Sequence, residues 1–208
     1  MSNEKAEVFT LPEGRLINHS LFVKDAFNDA ATPAYKLELA LEDDDQIAAL
    51  EDRVFDALIA RFGDQVEQDE DVVIPLLDGD KLAKKRERRG KEGDAYKGKI
   101  VVRASTIYNG QGEDGPGGIQ IFGPDARPIE VARKQEVYQG CYGIAGVTLG
   151  TYETADGAPG AKFYLAAFQK TRDGERLVSA SDRSTLFKPL AGSSEGSAGS
   201  PRRRKARG

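Results

Sequence analysis

Basic and aromatic side chains recur at alternate positions in three segments of this chain. In residues 97–108 the alternation puts Lys97, Lys99, Val101 and Arg103 on one side of an extended backbone. In residues 136–152 it groups Tyr138, Tyr142 and Tyr152 with Gly140, Ile144, Gly146, Thr148 and Gly150. In residues 161–171 it groups Lys162, Tyr164, Ala166, Phe168 and Lys170. Lysine and arginine meet phosphates, and aromatic rings stack on unpaired bases at ~1–3 kcal/mol per base. If the three faces align, they form a curved basic surface set with rings, of the kind that suits single-stranded nucleic acid. Lys97, Lys99, Arg103, Lys162 and Lys170 would then meet phosphates, and Tyr138, Tyr142, Tyr152, Tyr164 and Phe168 would offer stacking faces. The same spacing also describes ordinary half-buried strands, and one bulge would exchange the two faces.

Other chemistries are weaker. Asp43-Asp44-Asp45 and Asp69-Glu70-Asp71 are carboxylate runs of the type that hold hard cations. The first reads as helix capping and the second as a solvated loop, and no lysine or histidine is spaced to complete a Mg²⁺-dependent nuclease. One cysteine, Cys141, and one histidine, His19, cannot build a four-ligand zinc cage. Cys141 falls on the apolar side of its segment, which fits packing rather than reactivity. Gly110, Gly112 and Gly115 match G-x-G-x-x-G, but Pro116-Gly117-Gly118 follows where a helix must start, so this reads as a loop. No P-loop and no G-x-S-x-G elbow is present. The expectation is a binding protein with no catalytic residue, metal or cofactor.

These faces need strands to carry them. Residues 16–24, 35–41, 97–108, 136–152 and 161–171 read as strands from alternation and β-formers. Ile47, Leu50, Val54, Leu58 and Phe62 recur at helical spacing, with acids before them and Gly63 after. Residues 64–93 read as irregular. Five strands, with one helix between the second and third, fit a small antiparallel barrel; a sheet with the helix on one face is the alternative.

The chain has 208 residues, enough for one domain with appendages. Residues 1–14 read as a flexible arm, 15–190 as the domain, and 191–208 as a disordered Gly/Ser-rich basic tail. The net charge of −4 hides segregation. Residues 42–71 hold 12 acids and 2 bases, while residues 80–103 hold 10 bases and 4 acids. An acidic average therefore does not argue against an anionic partner. No apolar run approaches the ~20 residues of a membrane span. The start of the chain lacks the basic-then-apolar pattern of a secretory leader, and a single cysteine fits a reducing compartment.

Three segments together resemble a known family. Glu136-Val137-Tyr138-Gln139-Gly140-Cys141-Tyr142 resembles the E-V-Y-x-G-C-Y signature of a bacteriophage family of single-stranded-DNA-binding proteins with OB-fold barrels. Residues 168–177, FQKTRDGERL, resemble that family's x-Q-K-V-R-D-G-E-x-L segment. Tyr96-Lys97-Gly98-Lys99 and the following strand resemble the segment before that core. More weakly, residues 21–27 before Tyr35-Lys36-Leu37 resemble its first hairpin. Order and spacing agree over about residues 16–178. The chain departs from the pattern in residues 111–122 and in its basic end, Arg202-Arg203-Arg204-Lys205, where many single-strand binders are acidic.

The resemblance implies a mainly β fold: a five-stranded OB-fold-like antiparallel barrel with one helix inserted between the second and third strands. It implies a non-enzymatic protein that coats single-stranded DNA in phage replication or recombination, in the cytoplasm of the bacterial host. Partner replication proteins and self-association stay open. The rival expectation is a structural or recruitment protein that uses the acidic helix region and the aromatic faces for protein contacts.

Overall fold

The computed structural model describes residues 7–26, 32–107 and 119–177. In chain order the elements are β1 (Val8–Thr10), β2 (Gly14–Asp25), β3 (Ala34–Leu41), α1 (Asp44–Phe62), β4 (Leu76–Asp78), α2 (Gly79–Glu87), β5 (Ile100–Thr106), β6 (Gln120–Phe122), β7 (Tyr142–Glu153) and β8 (Pro159–Arg172). Single 3-10 turns precede β4, β5 and β7. Residues 110–118 and the tail, 191–208, lie outside the described residues.

β3 shows how alternation builds the sheet. Leu37, Leu39 and Leu41 enter the main core, while Glu38 and Ala40 point the other way. Five strands hydrogen-bond in cyclic order: β2 to β3, β3 to β5, β5 to β8, β8 to β7, and β7 back to β2. The β5–β8 closure is one partner pair, Ala104 with Phe163, and it is parallel. The expected all-antiparallel arrangement is thus corrected. Strand direction must alternate around an antiparallel ring, so an odd number of strands forces one parallel neighbour pair. β6 also runs parallel to β8. β1 pairs with β7, so residues 8–10 are a strand rather than part of a loose arm.

α1 forms where the periodicity places it. The Asp43 side chain accepts from the Gln46 N–H at 3.0 Å, Asp44 and Asp45 occupy the positive first turn, and Arg61 the last. The first carboxylate run is therefore a helix cap. Leu50, Val54 and Leu58 are buried in the main core with the inward residues of the ring. Residues 64–93 are not irregular. They hold β4, paired with β5, and α2, capped by the Asp78 carboxylate on the N–H groups of Asp80 and Lys81. α2 covers a second, smaller core of Ile17, Ala40, Ala83, Tyr96 and Val101 on the outer side of β2, β3 and β5.

Candidate nucleic-acid interface

The outer face of the β7–β8 pair is built from six partner pairs. They run from Tyr142–Arg172 through Ile144–Gln169, Gly146–Ala167, Thr148–Tyr164 and Gly150–Lys162 to Tyr152–Gly160. At its open end two tyrosine rings lie across glycines of the neighbouring strand. A Cβ on Gly150 would come within 2.6 Å of the Tyr164 ring, and one on Gly160 within 2.6 Å of the Tyr152 ring. The glycines give each ring a flat seat on the sheet. Tyr164 is 39% exposed, and the Lys162 ammonium lies 5.1 Å from its ring centroid. The Arg61 guanidinium reaches across from α1 to donate to the Thr151 carbonyl.

Arg103 stands on the adjacent strand. Ala104 and Phe163 form a buried pair, so Arg103 and its neighbours Lys162 and Tyr164 are on the outer side of adjacent strands. Glu38 fixes the Arg103 guanidinium, accepting from Nε at 3.0 Å and from Nη2 at 2.6 Å. The same carboxylate accepts from the Tyr96 hydroxyl at 2.8 Å and the Asn18 amide at 3.3 Å. Burial, and then the Glu38 charge, hold the Tyr96 phenol well above its ordinary pKa, so it remains a donor. Arg103 keeps a 49% exposed side chain. Tyr96 and Glu38, which orient it, were not among the sequence candidates; Glu38 alternates with leucines like any outward residue and carries no motif.

At the other end of β7–β8 the sequence candidates are engaged by the protein itself. The Tyr138 hydroxyl donates to Asp173 at 2.7 Å, and the Arg176 guanidinium lies 3.9 Å from its ring centroid. Arg172 lies 3.4 Å from the Tyr142 ring centroid and pairs with Glu13 at 3.2 Å. Lys170 is only 8% exposed, and its ammonium donates to Asp173 at 2.7 Å and to the Glu136 carbonyl at 2.9 Å. These bonds hold the Asp173 carboxyl below the usual range. Lys170 is thus a buried structural cation and not an outward phosphate contact.

Three further candidates lie elsewhere than the alternation places them. Phe168 is fully buried and offers no stacking face. The register passes from Gly146–Ala167 to Val147–Leu165, leaving Ala166 as an extra residue. That bulge exchanges the faces of β8 beyond it, which also turns Lys170 inward. Lys97 and Lys99 precede β5 instead of lying on it, because a 3-10 turn at Asp94–Tyr96 and the positive φ of Gly98 delay the strand to Ile100. Lys97 pairs with Asp94 and Glu87, and Lys99 with Glu42. Val101, assigned to the basic face, is buried under α2. The arrangement that remains is Arg103, Lys162, Tyr164 and Tyr152 on one outer surface. It can offer cations to a phosphate backbone and ring faces to bases.

A family described as the single-stranded-DNA-binding protein of Enterobacter phage Enc34 matches residues 8–196. The chain belongs to this Enc34 family. No curated protein matches it. The solved single-stranded-DNA-binding protein of bacteriophage Enc34 in complex with ssDNA is similar at a TM-score of 0.64 and 13% identity, over 82% of this chain and 89% of that one. The single-stranded-DNA-binding protein gp2.5 of bacteriophage T7 is similar at a TM-score of 0.57 and 12% identity, over 94% of this chain and 100% of that one. At such identities the likeness is one of fold.

In this Enc34-family chain the two segments that carry the resemblance press against each other. Gly140 has φ +111°, and a Cβ there would come within 2.0 Å of the Glu175 carbonyl oxygen. The Leu177 N–H donates to the Gln139 carbonyl at 2.9 Å. Burial in the same region pushes the Cys141 thiol pKa up, as suits a packed side chain. The 3-10 turn over Val131–Glu136 and the turn at Gly140 occupy this stretch, which is why β7 starts at Tyr142 and not at residue 136. A Gly140→Ala substitution is expected to cost on the order of 1–3 kcal/mol from backbone strain alone. Urea denaturation checks this; an unchanged midpoint would mean that the two segments do not interlock.

Proposed function

We propose that this protein binds single-stranded DNA without sequence preference and coats it during phage DNA replication or recombination in the host cell. The observation that carries the reading is the family match over residues 8–196. The ring of five strands is read as an OB-like barrel. Its outer β5–β8–β7 surface is the binding face, with Arg103 and Lys162 for phosphates and Tyr152 and Tyr164 for bases. Such a face tolerates any sequence, since every base has a π-face and every nucleotide a phosphate. The role is binding, not catalysis. No helix among the described residues is long and apolar enough to cross a membrane.

The test is fluorescence anisotropy with a labelled single strand of ~30 nucleotides and its duplex, over a salt series without Mg²⁺. Single-strand binding should be much the tighter. Its log affinity should fall with log salt at ~0.7 per neutralised phosphate. Equal affinity for strand and duplex would overturn the reading and direct attention to a protein partner.

A further inference from the structure

The proposed binding face leaves a dense run of positive residues unused. Residues 81–91 contain seven cations and one acid, Glu87. Glu87 does not neutralise them, because it faces Lys97 at 3.0 Å. Lys84, Lys85 and Arg88 are exposed and have no acidic partner among the described residues. Cations near a helix C-terminus suit the dipole, by a modest amount each. Lys84, Lys85 and Arg88 add like charges close together, a field that favours a polyanion over them.

The fold sets this patch beside Arg103. Ala83 anchors α2 on the outer side of β2, β3 and β5. The Arg86 guanidinium lies 4.7 Å from the Tyr96 ring centroid, and the Tyr96 hydroxyl shares Glu38 with Arg103. β8 flanks β5, bringing Lys162 beside Arg103, while Glu38 on β3 pairs with Arg103 on the opposite side. The outer surface thus runs from Tyr164 and Lys162 over Arg103 to Arg86 and the exposed end of α2. We infer that α2 and its C-terminal turn form a second phosphate-binding subsite, which takes the backbone of the same DNA strand where it leaves the stacking face. The subsite rests on the proposed function. It contains no exposed ring, so it holds phosphates and leaves the bases free.

The test uses the full chain and labelled thymidine homopolymers of ~8 and ~30 nucleotides, the first within and the second beyond the span of one OB-type site. K84E/K85E/R88E changes only exposed side chains. It should weaken binding of the long strand at least tenfold at low salt and leave the short strand within twofold. The salt slope for the long strand should fall by ~2, from three phosphates at ~0.7 each. K84Q/K85Q/R88Q should produce a smaller change in the same direction. Equal loss on both lengths would overturn the subsite in favour of a general field effect. Unchanged long-strand affinity would put α2 outside the DNA path. A wild-type protein that binds neither length would instead overturn the function itself.

Discussion

Phe168→Ala is expected to lower stability by ~3–5 kcal/mol and to leave the DNA affinity of the folded protein unchanged. The ring is 0% exposed. It sits on β8 opposite Ala145 of β7 and beside Ile121 of β6, so three strands lose a shared contact when it goes. It also presses on Gly143, where a Cβ would come within 2.4 Å of its Cζ atom. The surrounding strands are tied by ladders and cannot collapse into the space, so the cavity cost adds to the lost transfer energy. The melting temperature should fall by roughly 6–20 °C. Phe168→Leu should cost less, since most of the volume is kept. Scanning fluorimetry and anisotropy on the same samples decide the matter. A stable variant with weakened DNA binding would return Phe168 to the surface and remove the bulge at Ala166.

That bulge marks the boundary between what the sequence makes legible and what it does not. The inner face of β7 is readable because Ala145, Val147 and Leu149, with Cys141 just before the strand, are a compact apolar set with no competing pattern. α1 is readable because its buried Leu50, Val54 and Leu58 recur at helical spacing behind a capping aspartate. In β8 both faces carry aromatic and small residues, so the exchange at Ala166 leaves no trace in composition. α2 is hidden for a different reason. It buries only Gly79 and Ala83, so the apolar stripe that signals a helix is missing, and a charged helix reads like a charged loop. That one neighbour pair is parallel follows from counting alone, since five strands cannot alternate around a closed ring; that the pair is β5–β8 comes from the register. Arg172 and Arg176 lie beyond the alternating segment 161–171, although both belong to the motif segment 168–177, so no face assignment reaches them. Tyrosines that look alike in sequence thus divide by neighbours. Tyr138 and Tyr142 carry guanidinium groups at 3.9 and 3.4 Å from their ring centroids, and Tyr142 also lies on Gly174, whereas Tyr152 and Tyr164 rest on glycines with no guanidinium over them among the described residues.

The division predicts unequal roles. Tyr152→Ala combined with Tyr164→Ala is expected to remove the stacking of up to two bases, at ~1–3 kcal/mol each. The joint loss for two bases is about thirtyfold to about twenty-thousandfold in affinity, less if the two rings act on one base. Stability should change little, because Tyr164 is exposed and the rings only cover sheet backbone at Gly150 and Gly160. That cover is itself worth a fraction of ~1 kcal/mol, so a substitution that keeps it is the better probe. Tyr→Phe at both positions should retain binding, as stacking uses the ring and not the hydroxyl. Tyr→Leu at both should retain the fold and lose the affinity. The matched pair Tyr138→Ala and Tyr142→Ala should do the reverse, since those rings hold Arg176, Arg172 and Asp173 in place. Melting temperature and single-strand anisotropy on both pairs separate the two ends of the β7–β8 surface. If the leucine variants bind like wild type while a folded Tyr138/Tyr142 double variant does not, the bases stack at the Tyr142–Arg172 end, and the guanidinium groups there must swing aside to admit them.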